Sequence, residues 1–155
     1  DEANMQVNNQ LEEDLPDDRF ITAFMGFLDP QTHEVNYHSG GQGPILHFRA
    51  GTGECEWHAP TNFPVGVMPL DGTDKSVNLH LEPGDVLALI SDGVYEYTAL
   101  DGSQFGEDRV AAIMKEHHGL PMSELGQVLV DAAFEFGGEA PQADAVTLVL
   151  VRRLP

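Results

Sequence analysis

The stretch LEPGDVLALISDGVYE, residues 81–96 of this 155-residue chain, gives the strongest local indication of a fold. Pro83-Gly84 favours a turn, and the segment Val86–Ile90 that follows is continuously apolar. A short apolar run between turn signals is typical of a central strand that is buried on both faces. The stretch therefore predicts a buried strand with an acidic residue, Asp92, directly at its end.

The segments before this strand have the pattern of an antiparallel sheet. Short apolar or alternating runs are separated by Gly and Pro turns, and these runs are Phe20–Leu28, Glu34–His38, Ile45–Phe48, Cys55–His58 and Lys75–Leu81. Further upstream, residues 1–15 carry apolar side chains at helical spacing and predict the end of a helix, which residues 16–18 would break.

After residue 96 the apolar period changes from that of strands to that of helices. Glu107–His117 and Pro121–Phe136 predict two helices, with Ser123 as the N-cap of the second. Ala145–Val151 then predicts a last buried strand. The order of strands, two helices and a strand points to an α+β fold in which sheets pack against helices.

The charge of the chain is strongly negative, since seven Lys and Arg oppose 26 Asp and Glu to give −19. Such a surface repels nucleic acid and anionic membranes, so neither is expected as a partner. The chain contains no apolar run of about 18 residues, the length that a membrane span needs. A single cysteine, Cys55, cannot form an internal disulfide and is interpreted as a small strand residue, which favours a cytoplasmic location.

Two acidic residues stand at the ends of predicted strands. Asp92 follows Val86–Ile90, and Asp144 precedes the last strand, so antiparallel neighbours would bring both carboxylates to one edge. Carboxylates about 4 Å apart repel by roughly 4 kcal/mol at an effective dielectric of 20, and a Mg²⁺ or Mn²⁺ ion removes that cost. Gly93 would allow the backbone to approach such an ion closely. Each Asp could equally be a strand-end residue that binds nearby amides.

Residues 81–96 also resemble a family motif, "PGD, apolar strand, (S/T)DG, x-x-E", of the metal-dependent PPM (protein phosphatase 2C-like) phosphatases. The resemblance is strongest to their bacterial branch, the stage II sporulation protein E and RsbU-like enzymes. Five further matches to that branch occur in its order: Arg19–Ala23 to "RFVTA", Tyr37–Pro44 to "Y-x-x-AGHNP", Phe63–Gly66 to "PLG", Phe105–Val110 to "FG-x-x-R-L/F" and Gln142–Leu148 to "DD-x-T". The resemblance implies that residues 1–155 are the C-terminal part of a single PPM-type domain, a β-sandwich flanked by helices.

The resemblance further implies a metal-dependent protein serine/threonine phosphatase. Two or more Mn²⁺ or Mg²⁺ ions would activate a water that attacks a phosphoserine or phosphothreonine. Asp92, Gly93 and Asp144 carry over as the metal site, with Asp92 and Asp144 acting in catalysis through the metal, while Glu96 matches a motif position near the site and has no assigned role. The implied substrate is a regulatory protein such as an anti-sigma-factor antagonist, in a cytoplasmic bacterial signalling pathway with an upstream receiver or sensor domain.

The chain also departs from the family pattern. The family's "GD-x-x-D" and "D-x-x-GHG" motifs do not occur in it, Ala145 replaces the second acid of the closing motif, and Gln42-Gly43 replaces His-Asn. These departures keep open a second hypothesis, a catalytically inactive phosphatase-like module that binds or senses a partner. Strands absent with the upstream motifs would also leave unpaired sheet edges, which favours a homodimer that exchanges strands.

A third hypothesis is a cupin-like β-barrel that binds a small molecule or a metal. Pro83-Gly84-Asp85 and the strand-rich first half fit it, but the two consecutive helices do not. Cupins bind metal through paired histidines, and this chain has neither H-x-H nor H-E-x-x-H. The histidines are interpreted as surface or strand-face residues, and they are His33, His38, His47, His58, His80, His117 and His118.

Overall fold

Four helices and seven strands form two units in the computed structural model of the protein, which describes residues 1–16 and 18–155. The first unit comprises Asp1–Gly43 and Ala59–Leu81, and the second comprises Pro44–His58 and Glu82–Pro155. Each unit is therefore built from two separate stretches of the chain. Across the described residues, every helix is too short or too polar to cross a membrane.

The first unit contains one helix and a three-stranded antiparallel sheet. Helix α1 spans Glu2–Asp14, and the sheet has the order β1-β2-β5, with β1 at Ala23–Asp29, β2 at Glu34–Gly40 and β5 at Val77–His80. Tyr37 of the middle strand is buried and stacks on Phe24 of β1, with ring centroids 4.9 Å apart. The inner strand thus supplies the apolar centre of this unit.

Helix α1 is attached to a neighbouring loop by two side-chain amides. The Nδ2 of buried Asn8 donates to the Met68 carbonyl at 2.8 Å, and its Oδ1 accepts from the Gly66 N–H at 3.1 Å. Asn9 does the same with the carbonyl and the N–H of Leu70, at 3.0 and 2.7 Å. Polar side chains thus join the helix to the loop, and the apolar residues Leu11 and Leu15 lie against Gly66 of the same loop.

The second unit contains a four-stranded antiparallel sheet. Its order is β4-β3-β6-β7, with β3 at Ile45–Arg49, β4 at Glu54–His58, β6 at Val86–Ile90 and β7 at Leu148–Arg152. The prediction of a buried central strand is confirmed, because β6 is an inner strand and Val86, Ala88 and Ile90 are 0% exposed. Strand β7 lies at the edge, where Leu148 pairs with Ile90.

Three helices of the second unit complete its core. They are α2 at Asp92–Tyr95, α3 at Gly106–His117 and α4 at Met122–Gly137, and α3 and α4 pack on one face of the sheet. The apolar side chains that share this core are Leu46, Phe48, Val86, Ala88, Ile90, Val94, Tyr95, Tyr97, Phe105, Val110, Met114, Leu125, Leu129 and Ala133. The end of β6 leads through Ser91 into α2, and Val94 and Tyr95 of α2 belong to this core.

The structure corrects several predicted boundaries. The first strand begins at Ala23, since Ile21 forms only an isolated bridge. The last strand begins at Leu148 and is only half-buried, because an edge strand has a neighbour on one side alone. Ser123 is not an N-cap; it lies inside α4, whose first turn starts at the Pro121 carbonyl. The predicted break at residues 16–18 includes Asp17, which lies outside the described residues.

Alanine substitutions at two glycines of α4 are expected to change the free energy of unfolding in opposite directions. Gly126→Ala is expected to raise the free energy of unfolding by about 1 kcal/mol, because alanine favours a helix and the added Cβ meets only Leu150 Cδ1 at 3.7 Å. Gly137→Ala is expected to lower it by about 1–3 kcal/mol through overpacking, because the Cβ would overlap the Tyr97 ring, which packs edge-on against Phe134. Urea denaturation measures both, and shifts of the same sign would contradict the packing argument.

Candidate functional site

Strands β6 and β7 bring the two predicted acids to one end of the second sheet. The strands are antiparallel neighbours, with Ile90 opposite Leu148, as the proximity argument required. Asp92 is the first residue of α2, directly beyond β6, and Asp144 lies just before β7. The two carboxyl-bearing segments therefore run beside each other, although they are far apart in sequence.

Ser91 joins these two segments by hydrogen bonds. Its Oγ donates to the Ala145 carbonyl at 2.8 Å and accepts from the Thr147 N–H at 2.9 Å. Its own N–H donates to the Thr147 carbonyl at 2.9 Å. Ser91 is not among the predicted site residues, and the signal that indicates it in the sequence is the hydroxyl position of the "(S/T)DG" motif.

Gly93 is required by the close approach of the same two segments. A Cβ on Gly93 would overlap the carbonyl oxygen of Ala145 and would lie 2.8 Å from its carbonyl carbon. It would also lie 3.3 Å from the carbonyl carbon of Asp144. Any side chain at Gly93 would therefore push the backbone that carries Asp144 away from the backbone that carries Asp92.

Both carboxylates keep one oxygen available to a ligand. Asp92 Oδ1 accepts from the Gly93 N–H at 2.9 Å, and Asp144 Oδ1 accepts from the Ala145 N–H at 2.6 Å. No hydrogen bond from residues 1–16 or 18–155 is seen at either Oδ2. The two acids line a cavity of about 210 Å³ together with Gly93, Glu96, Tyr97, Thr98, Gln104 and Ala143. The structure thus brings together the residues that the sequence proposed, including Glu96.

This donor set fits a hard divalent cation but does not complete its coordination. Carboxylate oxygens are the ligands that Mg²⁺ and Mn²⁺ prefer, and Mg²⁺ takes about six ligands in octahedral geometry. Asp92 and Asp144 offer two side chains. Within the described part of the chain, the one group of three potential ligands whose atoms lie within 4.8 Å of one another is elsewhere, at His47, Glu56 and His58.

A buried carboxylate, Asp85, organises the second sheet at the other end of β6. It accepts from His47 Nε2 at 2.9 Å and from the N–H groups of Ala50 and Glu82 at 2.8 and 3.0 Å. Burial acts to raise the pKa of Asp85, but these hydrogen bonds outweigh it and hold the pKa below its usual value. Burial lowers the pKa of His47, although the bond to Asp85 opposes that effect. His47 lies on a strand face as predicted, and it is fully buried.

The fold of this chain is shared with solved structures of PP2C-type phosphatases. It matches the SiaA-PP2C domain of Pseudomonas aeruginosa with a TM-score of 0.70 and 22% identity, over 84% of this chain and 51% of that one. It matches the Mn-presoaked phosphatase domain of SpoIIE from Bacillus subtilis with a TM-score of 0.66 and 21% identity, over 100% and 66%. The RsbU and RsbW domains of a Mycobacterium tuberculosis protein match with a TM-score of 0.70 and 22% identity, over 95% and 40%.

The family is established by sequence. The model of the stage II sporulation protein E (SpoIIE) family matches residues 1–154, so the chain belongs to this family of PPM-type phosphatase domains. It is 24% identical over 147 residues to phosphoserine phosphatase RsbU of Bacillus subtilis, which covers 95% of this chain and 43% of that protein. The chain thus spans less than half the length of this relative. The predicted family and α+β fold class are confirmed, and the cupin-like alternative does not fit this fold.

Proposed function

We propose that the protein containing this chain is a metal-dependent serine/threonine phosphatase. The observation that carries the proposal is the convergence of Asp92 and Asp144 on one cavity, where each keeps an oxygen available. Membership of the SpoIIE family and the similarity to a phosphoserine phosphatase support the same reaction class. The site residues in this proposal are Asp92, Gly93 and Asp144.

Each of these residues has a separate task in the proposed site. Asp92 and Asp144 would hold the cation, Gly93 lets the two backbones approach, and Ser91 fixes their spacing. A Mn²⁺ or Mg²⁺ ion held there would supply a more acidic water and would neutralise the phosphoryl oxygens. The Mn presoak of a solved SpoIIE phosphatase domain supports Mn²⁺ as one such ion.

We also propose that residues 1–155 are the C-terminal part of a PPM-type domain and that further acids complete the centre. The "GD-x-x-D" and "D-x-x-GHG" motifs of the family do not occur in these residues. Ala145 replaces the family's second acid, and it takes part in this edge through its backbone carbonyl, which accepts from Ser91 Oγ and lies close to Gly93. A carboxylate at position 145 is therefore unnecessary for the packing of this edge.

The substrate that we propose is a phosphorylated regulatory protein of the anti-sigma-factor-antagonist kind. The similarity to a phosphoserine phosphatase supports a phosphoserine or phosphothreonine. A chain charge of −19 favours a substrate surface that is less acidic than its own. A cytoplasmic location and control by an upstream receiver or sensor domain belong to the same proposal.

The reaction itself provides the first experiment. The whole protein, given Mn²⁺ and a phosphoserine peptide or a phosphorylated antagonist protein, is expected to release phosphate, and EDTA is expected to stop the release. A phosphotyrosine peptide of the same sequence serves as the control substrate. Binding of the phosphoprotein without phosphate release would instead support the inactive binding module, which the small number of ligands in this chain favours.

A further inference from the structure

Three potential metal ligands share one face of the β3–β4 hairpin. Glu56 and His58 are two residues apart on β4, and successive strand side chains point to opposite faces, so these two point to the same side. His47 on β3 is the direct cross-strand partner of Glu56. The intervening Trp57 packs against the apolar core on the opposite face. The hairpin register alone thus groups an acid with two imidazoles.

The spacing of the three side chains suits a small metal ion. One ligand atom from each lies within 4.8 Å of the others. His47 Nδ1 and Glu56 Oε2 are 3.9 Å apart, close to the separation of about 3.4 Å between two ligands of a tetrahedral zinc ion. Glu56 uses its other oxygen, Oε1, to accept from Arg49 Nε at 3.2 Å, so that Oε2 faces His47.

Asp85 fixes which nitrogen of His47 can bind a metal. An ionised carboxylate only accepts hydrogen bonds, so the 2.9 Å contact places the ring proton on His47 Nε2. In the neutral ring the lone pair then lies on Nδ1, which faces Glu56. A carboxylate that orients a histidine through its other nitrogen is the usual support of a metal-binding imidazole.

His58 contributes the second observation that points to a ligand. Its Nε2 is buried, and no hydrogen-bond partner for that nitrogen is found in the described part of the chain. A buried polar atom without a partner costs about 1–3 kcal/mol. A metal ion bound to this nitrogen removes that cost, whereas the ordinary alternative of a solvent-facing histidine does not apply to a buried atom.

We propose that His47 Nδ1, Glu56 Oε2 and His58 Nε2 form a second cation site, which selects a borderline divalent transition metal such as Zn²⁺. Two imidazoles and one carboxylate are a donor set typical of zinc, with water as the fourth ligand. Mg²⁺ and Mn²⁺ prefer oxygen donors and suit Asp92 and Asp144 better. The ion would cross-link β3 to β4, and the site does not depend on the proposed phosphatase activity.

The test is a Zn²⁺ titration of the protein by calorimetry in an Asp92→Asn/Asp144→Asn background, which removes the other acids from the measurement. One Zn²⁺ per chain is expected, and Glu56→Gln and His58→Gln are each expected to weaken it at least about tenfold. Glu54→Gln on the same strand and His80→Gln on β5 are the matched controls and should leave the affinity unchanged. Equal affinity in all four variants would overturn the proposal.

A second measurement uses the protein without substitution at this site and therefore does not rest on the folding of a variant. Zn²⁺ is expected to shift the NMR ring resonances of His47 and His58, whereas an equal concentration of Mg²⁺ should not. Shifts confined to histidines outside the cluster, such as His80 or His117, would overturn the assignment. Phosphate release plays no part in either readout, so failure of this site and failure of the proposed phosphatase activity are distinguishable.

Discussion

Replacement of Asp92 or Asp144 by asparagine is expected to lower Mn²⁺-dependent phosphate release by at least about 100-fold. Mutation of residues that only hydrogen-bond to metal ligands already lowers metal affinity or activity by about 10–100-fold. Asparagine keeps the shape of the side chain and an oxygen that can accept from Gly93 or Ala145, as Asp92 and Asp144 do. It removes the negative charge that a divalent cation needs. Both acids are exposed, so the free energy of unfolding should change by no more than about 0.5 kcal/mol.

The matched control for these variants is Asp101→Asn. Asp101 is another exposed acid whose Oδ1 accepts from a nearby backbone amide, that of Ser103 at 2.9 Å, but it is not among the residues that line the cavity. Its variant should keep full activity. Initial rates at several Mn²⁺ concentrations separate weaker metal binding from slower chemistry. Wild-type rates in a well-folded Asp92→Asn or Asp144→Asn protein would remove that residue from the site.

Gly93→Ala is expected to cost more than about 3 kcal/mol of unfolding free energy, at the upper end of overpacking effects. The added Cβ overlaps a backbone carbonyl, that of Ala145, and a backbone segment cannot rotate away as a side chain can. Ser91 holds this segment through hydrogen bonds to Ala145 and Thr147, so relief of the overlap requires those bonds to lengthen. The change also separates Asp92 from Asp144, and activity should fall with stability.

Urea denaturation and phosphate release measure both consequences of Gly93→Ala. Gly119→Ala is the control, because a Cβ on Gly119 meets no atom within 4 Å. Normal stability together with normal activity in Gly93→Ala would show that the two backbones need not approach so closely. Normal stability with lost activity would instead place the role of Gly93 in the spacing of the two acids alone.

Most of the second sheet could be predicted from the sequence because its signals are local. The apolar run Val86–Ile90 forms β6 with the predicted bounds, and its inner position confirms that a continuous apolar run marks a strand covered on both faces. The start of β7 was missed because Ala145 and Thr147 precede the regular ladder and are joined to Ser91 by its hydroxyl and its backbone N–H. The short helix α2 was missed because its four residues are too few to show a helical period.

The sequence predicts the two acids of the candidate site, but it does not predict how neighbouring residues position them. Strand ends gave Asp92 and Asp144, since the argument needed only the polarity of two neighbouring strands. The hydrogen bonds of Ser91 and the close approach of Gly93 to Ala145 depend on atomic distances, which no spacing in the sequence encodes. The cluster of His47, Glu56 and His58 depends on hairpin register, and sequence patterns of the H-x-H kind cannot detect ligands on two strands.

The bond between Ser91 and Ala145 joins residues 54 positions apart, and both helices α3 and α4 lie between them. During synthesis the ribosome therefore delivers Asp92 well before Asp144, and the acidic pair forms only after the edge strand has docked. A nascent chain that ends at α4 contains Asp92 but not Asp144, and its β6 edge has no β7 to pair with. The cation binding that we propose for this edge would therefore be a late step, which follows closure of the sheet of the second unit.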